Sequence, residues 1–172
     1  GYPDSGKRGG SATARSQNIC AACGCACDAA HIVAPDMEGQ VAAMRTAIED
    51  AGMTPAQVDY INAHATSTPL GDVVETRAIK QLFGERAQEI AISASKSMIG
   101  HSIGASAAIG SIATIMTLHS GTIHPTINLV EADPECDLNY TPNHAIQKKV
   151  QAGICNAFGF GGNNASIVFT II

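Results

Sequence analysis

The longest uncharged stretch of the chain limits its fold more than any other feature. No Asp, Glu, Lys or Arg occurs in residues 97–130. Within this stretch, residues 101–119 are almost wholly small or aliphatic and are followed by Gly121, which predicts a helix that is apolar on every side. Such a helix has to be covered on both sides, as it would be between two sheets of a layered domain. Because 172 residues rarely provide two sheets, we expect a second half of the protein to be missing from this chain.

The same stretch is also long enough to raise the question of a membrane span. It contains three histidines, a proline and several Ser, Thr and Gly residues, all unfavourable in lipid without partners. We therefore favour a buried helix and expect no membrane partner. The net charge of −5 and the scattered basic residues give no reason to expect nucleic-acid binding either.

Four of the six cysteines lie in the segment CAACGCAC, residues 20–27. Only Cys20 and Cys23 have the Cys-x-x-Cys spacing of a zinc knuckle, and no histidine accompanies them. We expect reduced thiols and no metal site, with metal binding and a disulfide framework as the less favoured alternatives. Residues 1–15 lack the apolar core of a signal sequence. Together these features favour a cytoplasmic protein, or an organellar one if a transit peptide lies upstream.

Hydrophobic periodicity predicts alternating helices and strands over most of the chain. A helix over 35–52 has Asp36 as its N-cap, and a second helix over 70–83 ends at Gly84. Strands are predicted over 58–63, 89–94, 150–156 and 165–171, the last two as a hairpin. This order indicates an α/β fold with a mixed sheet. Residues 1–30 are rich in Gly, Ala, Ser and Cys and permit no assignment.

Two histidines follow predicted strands in similar surroundings, His64 after YINA and His101 after the segment that begins with EIAIS. Ligands of layered α/β domains bind at the carboxyl ends of strands. Lys96, five residues before His101, would lower the pKa of a nearby imidazole and keep it neutral at pH 7. Two neutral imidazoles directed at one oxygen would stabilise an enolate. The spacing alone leaves open that both histidines are merely structural.

Three motifs occur in an order typical of one family: NAHATSTPLGD (62–72), KSMIGHSIGA (96–105) and NAFGFGGNNAS (156–166). Through them, residues 28–172 resemble the C-terminal half of the elongating β-ketoacyl-[acyl-carrier-protein] synthases, which are members of the thiolase-fold superfamily. Thr66-Ser67-Thr68-Pro69 favours the discrete fatty-acid type over polyketide modules. The resemblance implies half of a layered α/β/α/β/α fold, with the buried helix at its centre. It assigns residues 31–172 to the ketosynthase domain and leaves 1–30 as a poorly matching linker or remnant of the N-terminal half, too short for the expected strand.

The activity implied by the resemblance is a decarboxylating Claisen condensation in fatty-acid elongation. His64 and His101 would hold the malonyl thioester oxygen as it becomes an enolate, and Lys96 would organise the second histidine. Asp72 and Glu75 are the candidate counter-charges for Lys96.

The resemblance also implies the residues that bind the substrate. Thr66 and Thr68 would hydrogen-bond the phosphopantetheine arm of acyl carrier protein, so that no separate cofactor is expected. Phe160 would donate its backbone N–H to an oxyanion hole and gate the acyl pocket with its ring. The remaining expected substrate contacts, in the glycine loop and in a second mobile loop over 28–35, are Asp28, His31, Gly159 and Gly161.

This chain departs from the family in two respects. The nucleophilic cysteine of the family lies in the N-terminal half, and none of the six cysteines here takes its place, so we expect the chain alone to be inactive and the full-length enzyme to be a homodimer. Where the family carries a glutamate nine residues after the second histidine, this chain has Gly110. We therefore expect Lys96 to bond Asp72 or Glu75, with water beside Gly110. The alternatives are a non-catalytic chain-length-type partner subunit, a polyketide ketosynthase fragment and another thiolase-fold enzyme such as a thiolase.

Overall fold

The computed structural model of the chain describes residues 18–172, which form a five-stranded mixed sheet with helices on both faces. Four 3₁₀ turns and a two-stranded ribbon complete the fold. The helices and strands, numbered in chain order, are β1 Ile19–Cys27, α1 Met37–Asp50, β2 Tyr60–Asn62, α2 Gly71–Phe83, β3 Ala91–Ser93, α3 Lys96–Ile99, α4 Ser106–Ser120, β4 Thr122–Ile123, β5 Ile146–Gln147, β6 Ala152–Phe158 and β7 Asn163–Ile171.

The order of strands in the main sheet is β1-β7-β6-β2-β3. Strand β2 runs parallel to both β3 and β6, whereas β7 is antiparallel to β6 and to β1. The predicted hairpin of the last two strands is therefore confirmed, as is the mixed α/β sheet. Because β2, β3 and β6 are parallel, their carboxyl ends meet at one edge of the sheet. The segments that carry His64, Lys96 and the glycine loop all leave the sheet there.

Helices α1 and α2 cover one face of the sheet and contribute to the larger apolar core. Met44, Ile48 and Ile79 are fully buried there against the strands. The Asp36 carboxylate accepts the Gly39 N–H at 2.9 Å, which confirms the predicted N-cap of α1. Both helices lie within one or two residues of the predicted bounds.

The N-terminal strand corrects our expectation for residues 1–30. Strand β1 pairs with β7 over all nine of its residues, so residues 19–27 of this segment form an edge strand of the domain, not a linker. The part before residue 18 lies outside the described residues. Cys, Ala and Gly have little intrinsic preference for strands, and it is pairing with β7 that makes the segment extended. All four of its cysteines are exposed free thiols.

Helix α4 differs from the prediction in length and in burial. The expected helix over 101–119 begins later than predicted. His101 lies in the loop after α3, Ile103–Ala105 form a 3₁₀ turn, and α4 begins at Ser106. Its small residues pack on the sheet, whereas Ile112 is 61% and Met116 55% exposed. Within residues 18–172 the helix is thus covered on one side only. Residues 103–120 are also the one helical stretch of the described chain with the length and composition of a membrane span.

The close approach of β1 to α1 depends on a glycine. A Cβ atom at Gly24 would lie 2.2 Å from the Ala43 carbonyl oxygen and 2.4 Å from the Ala47 nitrogen. These are backbone atoms of α1 and cannot move aside as a side chain can.

We predict that Gly24→Ala lowers the free energy of unfolding by about 1–3 kcal/mol, the usual cost of overpacking. Gly104→Ala is the matched control, because a Cβ there meets no atom within 4 Å. Urea denaturation of the two variants measures the difference. Equal stability of both variants would show that β1 can shift freely against α1.

Candidate functional site

The two histidines meet at the edge of the sheet where the parallel strands end. His64 follows β2, and His101 lies in the loop between α3 and α4. Their ring centroids are 5.8 Å apart and the rings are nearly perpendicular, at 85°. The Phe158 ring, at the end of β6, lies 6.0 Å from His64 on another side. The structure therefore brings together the two histidines that the sequence singled out.

A backbone hydrogen bond determines which nitrogen of the neutral His101 ring carries the proton. Its Nδ1 accepts the Ile103 N–H at 3.0 Å. Because a backbone N–H can only donate, Nδ1 carries no proton in the neutral ring, and the proton lies on Nε2. Ile103 adopts a φ of +49°, a conformation that costs a β-branched residue strain energy. The loop thus maintains an unfavourable backbone conformation while it presents this N–H to the ring.

The position of His64 is set through its own backbone by a buried carboxylate. Glu75 is 4% exposed, and its two oxygens accept the N–H groups of His64 and Ala65, each at 2.9 Å. Burial raises the pKa of Glu75, while these two bonds and one from Asn156 oppose the shift. Ala65, with φ of +31°, and Ser67, with φ of +60°, form the strained loop that follows. Glu75 therefore supports the histidine loop, a role that differs from the expected one.

A chain of buried polar side chains orients Glu75. The sequence patterns did not predict it. The Asn156 amide donates to Glu75 at 3.1 Å, and its oxygen accepts the Ser166 hydroxyl at 2.8 Å. Both residues are buried, at 2% and 0% exposure. They lie within the NAFGFGGNNAS motif, but only the pairing of β6 with β7 brings them together and under α2. That motif was the one available signal.

The His64 imidazole is neutral at physiological pH. Burial, followed by the charges of Lys96 and His101, lowers its pKa to about 3. Its buried Nδ1 has no hydrogen-bond partner among residues 18–172.

Lys96 does not form the ion pair that we expected. Among residues 18–172, no carboxylate oxygen lies within 4.0 Å of its ammonium. The Asp72 carboxylate instead accepts the Ser67 N–H at 3.1 Å, and both oxygens of Glu75 are engaged by the backbone. Burial lowers the Lys96 pKa, and the charge of Glu75 partly offsets this. The expected pairing was wrong because the strained loop after His64 takes up both carboxylates.

The space expected for water beside Gly110 is also absent. A Cβ at this position would lie 2.9 Å from the Cys155 sulfur. The Gly110 carbonyl accepts the Asn62 amide at 3.1 Å. Gly110 therefore lets α4 pack tightly against β2 and β6 instead of leaving a cavity.

The glycine loop and the segment over 28–35, which were both expected to contact the substrate, are bonded to each other. Asp28 donates its N–H to the Gly162 carbonyl at 3.2 Å, and its carboxylate accepts the Asn164 amide at 2.8 Å. The Gly161 N–H donates to the Ile32 carbonyl at 2.8 Å. The loops are therefore joined by both backbone and side-chain bonds.

The structure gives several expected substrate contacts a local role in these loops. His31 Nδ1 accepts the N–H groups of Val33 and Ala34, and Gly159 donates its N–H to Asn163 at 2.7 Å. The Phe160 side chain is 76% exposed, and its N–H has no partner among residues 18–172. Phe160 thus has no such local role, whereas the His31 ring stabilises a turn.

A cavity of about 1050 Å³ opens beside His101, and His64 is not among the residues that line it. The residues of the site that line it, next to segment 126–142, are Thr66, Thr68, Asp72, Glu75, Lys96 and His101. The Thr68 hydroxyl oxygen accepts the Gly71 N–H at 3.1 Å. Within residues 18–172, no three His, Cys, Asp or Glu side chains are placed to hold a metal ion.

Comparison with known proteins identifies the family. Residues 18–130 match the family model for the C-terminal domain of β-ketoacyl synthases. The chain belongs to the β-ketoacyl synthase family. The family match begins at residue 18, next to β1, which agrees with the place of this strand in the sheet.

Individual relatives agree with this assignment. The chain is 49% identical over 145 residues to 3-oxoacyl-[acyl-carrier-protein] synthase 2 of Synechocystis, covering 83% of this chain and 35% of the relative. It is 45% identical over 161 residues to nodulation protein E of Rhizobium meliloti, covering 92% of this chain and 40% of the relative. The chain thus spans well under half the length of these curated relatives.

Solved structures show the same thiolase-like fold. The ishigamide ketosynthase/chain length factor has a TM-score of 0.84 and 39% identity, covering 87% of this chain and 37% of that one. A β-ketoacyl synthase from Burkholderia phymatum has a TM-score of 0.83 and 38% identity, covering 88% of this chain and 36% of that one. A type II polyketide ketosynthase in complex with its acyl-carrier protein has a TM-score of 0.85 and 34% identity, covering 88% of this chain and 38% of that one.

The lowered His64 pKa predicts a pH dependence of folding. In the unfolded chain His64 takes up a proton as the pH falls below its ordinary pKa of 6.5, but the folded chain resists this until about pH 3. Between pH 6.5 and about 3 the unfolded state therefore binds more protons than the folded state. As the pH falls through this range, His64 lowers the free energy of unfolding by up to about 1.4 kcal/mol per pH unit. The His64→Asn variant should lack this contribution when the free energy of unfolding is measured by denaturant between pH 7 and 4.5. An unchanged slope in this variant would contradict the buried, neutral imidazole.

Proposed function

We propose that this chain supplies the malonyl site of an elongating β-ketoacyl-[acyl-carrier-protein] synthase, an acyltransferase of fatty-acid chain elongation. The reaction is the decarboxylating Claisen condensation of malonyl-acyl-carrier protein with an acyl thioester. The observation that carries the proposal is the pair of histidines, whose rings lie 5.8 Å apart where parallel strands end. His101 presents Nε2–H, and His64 is neutral.

This geometry suits the charge that decarboxylation creates. As the bond between the malonyl carboxylate and the methylene carbon breaks, carbon dioxide leaves and the electron pair passes to the thioester oxygen as an enolate. Donors directed at that oxygen stabilise the transition state more than the substrate, which accelerates the step. The enolate carbon then attacks the acyl thioester and expels the cysteine thiolate that carried the acyl group.

The residues around the histidines have supporting roles in the proposal. The Lys96 charge helps to keep His64 neutral. A neutral imidazole donates a hydrogen bond but carries no positive charge that would stabilise the uncharged thioester. Thr66 and Thr68, at the cavity, bond the phosphopantetheine arm of acyl carrier protein, and no other cofactor is required. The free Phe160 N–H donates to the oxyanion of the acyl thioester, and the exposed ring gates the acyl group.

The remainder of the enzyme is proposed to complete the fold as well as the chemistry. The exposed face of α4, with Ile112 and Met116, would pack against the N-terminal half, which brings the nucleophilic cysteine. The chain alone would then be inactive. The complete enzyme would be a cytoplasmic homodimer that binds acyl carrier protein and neither nucleic acid nor membrane.

A second candidate is a polyketide ketosynthase, favoured by the solved neighbour from a type II polyketide system. The proposed malonyl chemistry at His64 and His101 would be the same, and only the acyl chain would differ. A non-catalytic chain-length-type partner is less favoured, because such a subunit has no need of two histidines held in this geometry.

We predict that His64→Ala and His101→Ala in the full-length protein each slow malonyl decarboxylation by about 10²–10³-fold, the usual loss for one oxyanion donor. Release of carbon dioxide from malonyl-acyl-carrier protein measures this step, and acyl labelling of the full-length protein should suffer less. His119→Ala, which removes a histidine at the far end of α4, is the matched control and should retain activity.

Retention of full decarboxylation in both site variants would contradict the proposed malonyl site. The chain of residues 1–172 alone, incubated with radiolabelled acyl thioester, should take up no stoichiometric label. Stable labelling of one of its own cysteines would contradict the proposal that the nucleophile lies in another half.

A further inference from the structure

We propose that the Ser106 hydroxyl is a positioning group that holds the orientation of the His101 ring through its Nδ1. The Ser106 oxygen lies 2.9 Å from His101 Nδ1. The significance of the contact for catalysis rests on the proposed function, but the contact itself can be tested without any catalysis.

The Ser106 hydroxyl makes no other hydrogen bond within residues 18–172. Ser106 is the first residue of α4 and is 9% exposed, yet no side chain caps the start of this helix. Serine hydroxyls near helix starts commonly bond the backbone of their own turn. Here the only hydrogen-bond partner of the hydroxyl within residues 18–172 is the imidazole nitrogen.

Two donors therefore converge on one acceptor. The Ile103 N–H reaches Nδ1 at 3.0 Å, and the Ser106 hydroxyl can direct its hydrogen to the same nitrogen. If the proton were on Nδ1 instead, the Nδ1–H would point at the Ile103 N–H, and two donors would oppose each other. It would then lose both accepted bonds, and only the Ser106 oxygen could accept a bond from it. The Ile103 N–H therefore selects the tautomer with Nε2–H, whereas the Ser106 hydroxyl can bond either form and fixes the direction of the ring.

The two donors differ in how firmly they are held. Ile103 is 83% exposed and lies in a strained loop. Ser106 belongs to α4. In this helix Gly110 allows close packing against Cys155, and the Gly110 carbonyl accepts a hydrogen bond from the Asn62 amide. Ser106 thus fixes His101 to a rigid helix on the sheet, so that the ring does not depend on an exposed loop alone. Ser106 lies one residue beyond the KSMIGHSIGA motif.

The test is the hydrogen bonding of the His101 ring, read from the ¹⁵N chemical shifts of its two ring nitrogens in histidine-labelled chain at pH 8. In the wild type, Nδ1 should show the shift of an unprotonated nitrogen and Nε2 that of a protonated one. Ser106→Ala, which favours the helix, removes one hydrogen bond to Nδ1 and should move the Nδ1 shift towards that of an unprotonated nitrogen with fewer hydrogen bonds, while Nε2 stays protonated. Ser106→Thr keeps the hydroxyl and should retain the wild-type shifts.

Ser120→Ala is the control, because this hydroxyl lies on the same helix and donates to the Met116 carbonyl. It should leave both nitrogens unchanged. Wild-type shifts in Ser106→Ala, or an equal displacement in Ser106→Thr, would overturn the assignment. Since the readout needs no substrate, it can fail while the condensing function holds, and the converse is also true.

Discussion

The bonds from the His64 and Ala65 N–H groups to the Glu75 carboxylate hold the site to the fold. They link the end of β2 to α2, and they do so from a side chain that is almost entirely buried. A buried carboxylate is costly unless its charge is met by donors, and here Asn156 supplies a third. Removing any one donor would leave part of that cost uncompensated. The strained loop after His64 can therefore persist, because the sheet and the helix on both sides of it define its path.

The second histidine is held by a different device. His101 receives a backbone N–H from a strained loop and lies beside a hydroxyl on α4, so its ring is oriented through Nδ1. His64 is oriented through its backbone, and its Nδ1 has no partner within residues 18–172. The two rings are thus fixed by independent parts of the structure, which meet because the parallel strands end at one edge of the sheet.

Local patterns in the sequence predicted most of the fold and the membership of the site. The helices over 35–52 and 70–83 have strong apolar stripes and clear ends, and both are present in the structure. Strand β1 was missed because its residues have no strand preference of their own and are extended only through pairing with β7. The expected partners of Lys96 were wrong for a related reason. The spacing of Asp72 and Glu75 shows that they share a helix face, but not that the backbone of a neighbouring loop will bond both of them. The NAFGFGGNNAS motif contains both Asn156 and Ser166, but it does not show their contact, which depends on the register of two strands.

The central claim is that the two imidazoles bind one developing oxyanion. A crystal structure of the full-length protein with a stable analogue of malonyl-phosphopantetheine, in which an amide replaces the thioester, tests it most directly. The account predicts that the amide oxygen next to the malonyl methylene lies about 2.7–3.1 Å from Nε2 of both His64 and His101. An analogue bound with that oxygen on other groups, and with both histidines turned towards protein partners, would contradict it.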